Sequence, residues 1–140
     1  MWVLASSRPD LIEVDLKRPG RLDLKIPILP TSTRDESATL LGALTHRYDL
    51  EISLADLARI ATLPVLLTPG AAEALVVKVY RMVRTEKVSA CSALERCVAT
   101  YQNPIPHDVL DMQMRLAVRE ATDLAFVPEP LHYLAEEPRG

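Results

Sequence analysis

The sequence predicts a mainly α fold, a small bundle of four to five helices preceded by a strand-and-loop segment. Three observations carry that prediction. Apolar side chains recur at helical spacing between residues 31 and about 125. Helix-starting signatures built on Ser or Thr stand ahead of several of those runs. Strand-like stretches, by contrast, fall only before residue 31 and are too few to make a sheet.

Met1-Trp2-Val3-Leu4-Ala5 opens the chain as an apolar run, the pattern of a buried strand in a parallel sheet. Lys25-Ile26-Pro27-Ile28-Leu29-Pro30 is the other strand candidate, and its two prolines confine it to an edge. A lone buried strand has nothing here to pair with, so the sheet is expected to lie largely outside these 140 residues, with the chain cut from a larger domain. Between the two candidates, Arg18-Pro19-Gly20-Arg21 is turn chemistry that can present two arginines on one rim.

From residue 31 the pattern turns helical. Thr33 with Glu36 makes a capping box ahead of Leu41, Leu44 and Tyr48. Ser53 with Asp56 repeats the signature for a short second helix carrying Leu54, Leu57, Ala58 and Ala61. Thr68-Pro69 joins a cap to a proline at the first helical position, where its missing N–H costs nothing. The third helix sets Leu75, Val76, Val79 and Val83 on one side and Lys78, Arg81 and Arg84 on the other. A fourth carries Leu94, Cys97, Val98 and Tyr101, and stops before Asn103-Pro104-Ile105-Pro106. A fifth, from about His107 to Asp123, aligns Leu110, Met114, Ala117, Val118 and Ala121, with Met114 rather than Met112 toward the core. Pro128, Pro130 and Pro138 mark an irregular tail. Residues 31–125 are therefore expected as one bundle able to fold independently.

Composition limits the function classes. Apolar residues make up 49% and charged residues 25%, as in a soluble globular chain, and one Trp, one Phe and four Tyr leave the core to aliphatic side chains. The net charge of −3 argues against a dedicated nucleic-acid binder. Residues 1–34 hold six basic and four acidic groups, and residues 35–140 hold ten and fifteen. The basic stretch Lys17–Lys25 lacks the aromatic or further basic partners that nucleic acid would need. No apolar run approaches the roughly 18–20 residues of a membrane span, and no signal-peptide pattern opens the chain. Cys91 and Cys97 lie six apart in one helix, a rotation of about 600°, so their thiols point to different faces and cannot bridge. Reduced cysteines and a cytoplasmic setting are expected. His46, His107 and His132 are scattered without partners at metal-ligand spacing, so no metal site is expected.

The stretch Leu4-Ala5-Ser6-Ser7-Arg8-Pro9-Asp10-Leu11-Ile12-Glu13-Val14-Asp15-Leu16-Lys17-Arg18-Pro19-Gly20-Arg21-Leu22-Asp23 resembles the second half of the ATPase module in AAA proteins. In that family a strand ending in small-residue/Asn-Arg-Pro-Asp is followed by Arg-Pro-Gly-Arg and an aromatic or Leu-Asp pair. An edge strand ending in proline and a small helical lid come next, the third lid helix starting with Gly-Ala-Asp, where this chain has Gly70-Ala71-Ala72. The resemblance covers roughly residues 1–101. It implies a division into a truncated end of the ATPase α/β domain at 1–30, with the sensor-1 strand and arginine-finger loop, and an AAA+ lid-type α-helical domain with a C-terminal extension at 31–140.

By the same resemblance, Arg18 and Arg21 match the arginine fingers that reach the nucleotide site of a neighbouring subunit. Ser7 stands where the family has the sensor Asn that positions the attacking water, and a hydroxyl lacks the amide's separate donor and acceptor. Gly70 and Ala71 match lid backbone near the adenine and ribose, while Ala72 replaces the usual Asp. The function implied is that of a C-terminal part of an AAA+ ATPase, for ATP-driven remodelling of a macromolecular substrate. The partners implied are the rest of its own ATPase domain and the neighbouring subunits of a homo-oligomeric ring, a hexamer; neither nucleic acid nor membrane is expected. ATP and Mg belong to the intact parent. The 140 residues contain no G-x-x-x-x-G-K-[ST] loop and no apolar strand ending in paired acids, so by itself the chain is expected to be inactive and to hold no cofactor. Glu13 and Asp15 sit in the loop ahead of the arginines rather than on such a strand. Two alternatives remain open to the residues: a stand-alone helical interaction module descended from such a lid, and, for Arg18 and Arg21, two solvated surface side chains.

Overall fold

The computed structural model describes residues 2–136, which are mainly helical and contain no β-strand. The α-helices are α1 (Arg34–Arg47), α2 (Leu54–Arg59), α3 (Pro69–Glu86), α4 (Ala90–Ala99) and α5 (His107–Glu120). Short 3₁₀ stretches lie at Pro9–Leu11, Val14–Lys17, Leu124–Phe126 and Glu129–Ala135. The chain divides into two compact units, residues 30–104 and the described parts of 1–29 and 105–140.

In the unit 30–104, each of the four helices opens on a hydroxyl that satisfies an otherwise orphaned backbone N–H. Thr33 Oγ1 accepts from the Glu36 N–H at 3.2 Å, Ser53 Oγ from the Asp56 N–H at 3.1 Å, Thr68 Oγ1 from the Ala71 N–H at 3.2 Å and Ser89 Oγ from the Ser92 N–H at 3.2 Å. The box at α1 closes one residue early. The Glu36 carboxylate takes the Ser32 N–H at 2.6 Å and its hydroxyl at 2.9 Å. Helix α1 packs on α2 and α3, and α4 packs on α3. Leu41, Leu57, Leu67, Val76, Val79 and Leu94 lie at the centre of the resulting aliphatic core, wholly shielded from solvent. Thr31 threads the segment before α1 into this core: its hydroxyl donates to the Val65 carbonyl at 2.7 Å and accepts from the Leu67 N–H at 2.9 Å. Helix α3 ends on Lys87 in the left-handed region (φ 53°), whose N–H bonds the Val83 carbonyl at 3.2 Å.

In the other unit α5 buries Leu110, Met114 and Val118, spaced four apart on one face. Val127, Leu131 and Leu134 of the following segment are buried as well, and α5 touches both the Glu129–Ala135 turn and the Pro9–Leu11 turn. Met112 is exposed, as the spacing predicts.

Several expectations need correction. Of the run Met1–Ala5, Met1 lies outside the described residues; the rest forms no strand, and Trp2 and Val3 are 101% and 82% exposed. A strand is stable only as part of a ladder, and the described residues offer it no neighbour. Lys25–Pro30 likewise forms no strand, and Ile26 and Ile28 are exposed. Helix α5 stops at Glu120 rather than Asp123, because Ala121 turns to extended backbone (φ −61°, ψ 140°) and Thr122 pairs with Lys25 instead. Tyr101 and Ala61 fall outside the helices expected to carry them. The tail is more regular than its prolines imply: Pro130 enters the 3₁₀ turn Glu129–Ala135, while Pro138 lies outside the described residues. Finally, α5 joins the unit that includes residues 2–29 rather than the four-helix core.

Candidate functional site

The arginine loop is built from local bonds. The turn Val14–Lys17 closes with the Leu16 N–H on the Glu13 carbonyl at 3.0 Å. Arg18–Arg21 then forms a β-turn, the Arg21 N–H meeting the Arg18 carbonyl at 3.1 Å. Pro19 takes the second position, where its fixed φ is already correct, and Gly20 takes the third at φ 86°, where a Cβ would be strained. The Gly20 N–H is bound by Asp23 Oδ1 at 2.7 Å, which closes the turn from its far side.

Both guanidinium groups lean back on one residue. Arg18 Nη2 lies 3.1 Å from Asp15 Oδ1, and Arg21 Nη1 donates to the Asp15 main-chain carbonyl at 3.2 Å. Their surroundings are solvent, the Arg18 side chain being 70% exposed. An ion pair this exposed contributes little to stability. Upstream, Arg8 grips Asp10 in a fork at 2.8 and 2.6 Å; that bond holds the Asp10 carboxyl below its ordinary range and raises the Arg8 guanidinium's pKa.

The loop is anchored to the end of α5. Lys17 Nζ lies 3.0 Å from Glu120 Oε1, with side chains 16% and 26% exposed. Eight residues on, the Lys25 N–H donates to Thr122 Oγ1 at 2.8 Å, and the Lys25 carbonyl accepts from the Thr122 N–H at 3.1 Å. The sequence marks Asp15 and Lys17 only as charges near the arginines, and Glu120 and Thr122 were missed. Asp15 stands there as an acid three residues before Arg18.

The other expected residues are placed differently. Ser7 is exposed, in the same unit as the arginines. Gly70 and Ala71 belong to the other unit, in the first turn of α3. Gly70 is exposed, and a Cβ built on it would meet nothing within 4 Å. Ala71 is buried in the core with its N–H committed to Thr68, so its main-chain donor is already occupied. A cavity of about 350 Å³ beside the start of α1 is lined by Thr33, Arg34, Asp35, Ala58 and Leu63, none of which the sequence marked as a site residue. The Arg34 guanidinium there is bound to the Ile60 carbonyl at 2.8 Å. Cys97 is buried, Cys91 partly so, both are free thiols, and burial pushes both above the ordinary thiol pKa, away from a reactive thiolate.

Comparison with known proteins gives one consistent likeness. The peroxisomal ATPase PEX6 of Pichia angusta is 40% identical over 57 residues, 41% of this chain and 5% of that protein. Its counterpart in Arthrobotrys oligospora is 43% identical over 61 residues, 43% of this chain and 5% of its own. That of Eremothecium gossypii is 41% identical over 56 residues, 39% of this chain and 6% of its own. The matched segment is thus about one twentieth of the length of these relatives. No family model and no solved structure matches. Over some two fifths of the chain, the likeness supports a fragment of an AAA-family ATPase.

Proposed function

We propose that this chain is a C-terminal part of an AAA+ ATPase whose Arg18–Arg21 turn supplies arginine fingers to a neighbouring subunit. Residues 1–30 are read as the end of the ATPase domain, and the helices from residue 31 as the lid with a C-terminal extension. The observation that carries the reading is the turn itself: two guanidinium groups on one closed loop, exposed and weakly held by Asp15. Phosphoryl transfer spreads negative charge over the equatorial oxygens, and a permanently charged planar fork complements that charge. The phosphate concerned is read, from the family resemblance, as one bound by a neighbouring subunit; these 140 residues themselves contain no phosphate-binding loop. ATP and Mg are held by the intact parent, and a ring, hexameric by family resemblance, brings the fingers to the site. Ser7 takes the sensor position, and the open space at Gly70 suits close approach of an adenine or ribose. Relatives described as peroxisomal ATPases support the ATPase reading and a peroxisome-linked setting for the parent; the cytoplasmic placement rests on the sequence alone.

The test is made in the full-length ATPase. Arg18→Ala or Arg21→Ala should leave nucleotide affinity nearly unchanged and lower turnover by about 10³–10⁵, the usual worth of such a finger. Lys should rescue poorly at either position, since a point charge lacks the fork. Mixed rings that combine finger-less subunits with subunits lacking their phosphate loop should regain part of the activity. Unchanged turnover in the Ala variants returns both arginines to the solvated surface.

A further inference from the structure

We propose that Glu120 and Thr122, at the end of α5, are positioning residues that hold the arginine turn in the geometry its reaction requires; this rests on the arginine-finger reading above. The residues on either side of the turn, Lys17 and Lys25, are each tied to this one short stretch of chain, by the ion pair at 3.0 Å and by the pair of hydrogen bonds at 2.8 and 3.1 Å. Apolar burial places the loop only in part, for neither Pro9–Leu11 nor Val14–Lys17 contains a buried residue, and Pro9, Ile12 and Leu22 are only half-buried. The Lys17–Glu120 pair is more sheltered than the other ion pairs among the described residues, so water and salt screen it less. Glu120 also ends a helix, where the carbonyl ends repel an acid; the Lys17 ammonium offsets that repulsion. An acid in this unfavourable place makes sense as one half of a clamp. Two tethers fix both the position and the direction of the segment between them, where a single tether would leave it free to swing. A finger works only when its guanidinium meets charge developing in the transition state, and a displacement of about 1 Å can cost about 10² in rate.

The first measurement uses the 140-residue chain, by amide exchange at Gly20 and Arg21, whose N–H groups close the turn. Glu120→Gln, Glu120→Ala and Thr122→Val should each speed exchange there severalfold, while exchange within 30–104 stays unchanged. Reversing the pair, Lys17→Glu with Glu120→Lys, should restore protection that either reversal alone removes. The second measurement is turnover of the full-length ATPase. Glu120→Ala and Thr122→Val should lower kcat by up to about 10² with the KM for ATP unchanged, and the double reversal should recover it. Should the Arg18 and Arg21 variants lose turnover while the Glu120 and Thr122 variants keep it, the positioning role is overturned and the finger reading stands. Should turn exchange respond to Glu120 while neither set of variants alters turnover, the finger reading fails and the positioning role fails with it. The isosteric Glu120→Gln and the double reversal keep the helix end intact, so general unfolding cannot mimic the result.

Discussion

The two compact units of this chain are held in different ways. The unit 30–104 is a core of aliphatic side chains contributed by four capped helices, several of them wholly excluded from water. The other unit fully buries apolar side chains only along α5 and the segment after it; residues 2–29 contribute half-buried ones such as Ile12 and Leu22 and are tied by polar groups at Lys17 and Lys25. Burial is non-directional and scales with area, so it stabilises a body without fixing one loop within it. Hydrogen bonds and ion pairs contribute less but demand a geometry, which suits the placing of a turn. A core supports and a tether aims.

The sharpest way to break this comparison is a core truncation. Leu94→Ala removes a wholly buried side chain of α4 and should cost about 2–5 kcal/mol. Urea unfolding, with amide exchange resolved along the chain, should place that loss within 30–104; an equal loss of protection across α5 would mean that one cooperative block unfolds. Met114→Ala is the matching change in the other unit. Met114 is 3% exposed there in a thinner core, so the cost should sit near 2 kcal/mol, the low end for such truncations. Exchange at residues 9–11, which touch α5, should quicken in that variant and not in Leu94→Ala.

A smaller effect comes from acid. The Ser32 N–H and hydroxyl bonds, together with the Thr33 backbone, hold the Glu36 carboxyl below the ordinary glutamate range. A lowered folded-state pKa contributes stability that is fully present above the unfolded value and is lost as pH falls through the folded value. Thermal melts of the chain should therefore show a shallow loss as pH drops below the ordinary glutamate range, smaller than either truncation. Glu36→Gln should flatten that part of the profile; an unchanged slope would mean that the box at α1 does not matter to the unit.

The smallest expected effect is at Gly42. A Cβ there would lie 2.8 Å from Leu54 Cδ2, the far end of an exposed side chain that can turn away. Ala gains about 1 kcal/mol of helix propensity over Gly, and moving Leu54 offsets much of it. Gly42→Ala should change stability by no more than about 0.5 kcal/mol. A loss of 2 kcal/mol or more in a urea melt would show that α1 and α2 pack too closely to give way.

What the sequence by itself determined is local. Thr33, Ser53 and Thr68 begin helices where they were expected to, because a cap and its N–H partner are three residues apart. The Arg18–Arg21 turn follows just as directly, since Pro sets one dihedral and Gly permits the next. The division of partners could not be read that way. Apolar spacing on α5 marked Leu110, Met114 and Val118 as a buried face but not what they face, for periodicity is the same whichever surface a helix meets. The apolar opening run looked like a buried strand for a similar reason: pattern records the wish for a partner and not its presence. Only the tertiary structure brought Lys25 to Thr122 across 97 residues and Lys17 to Glu120. Such pairings depend on where the intervening helices deliver the chain, a sum over the whole fold that no short stretch encodes.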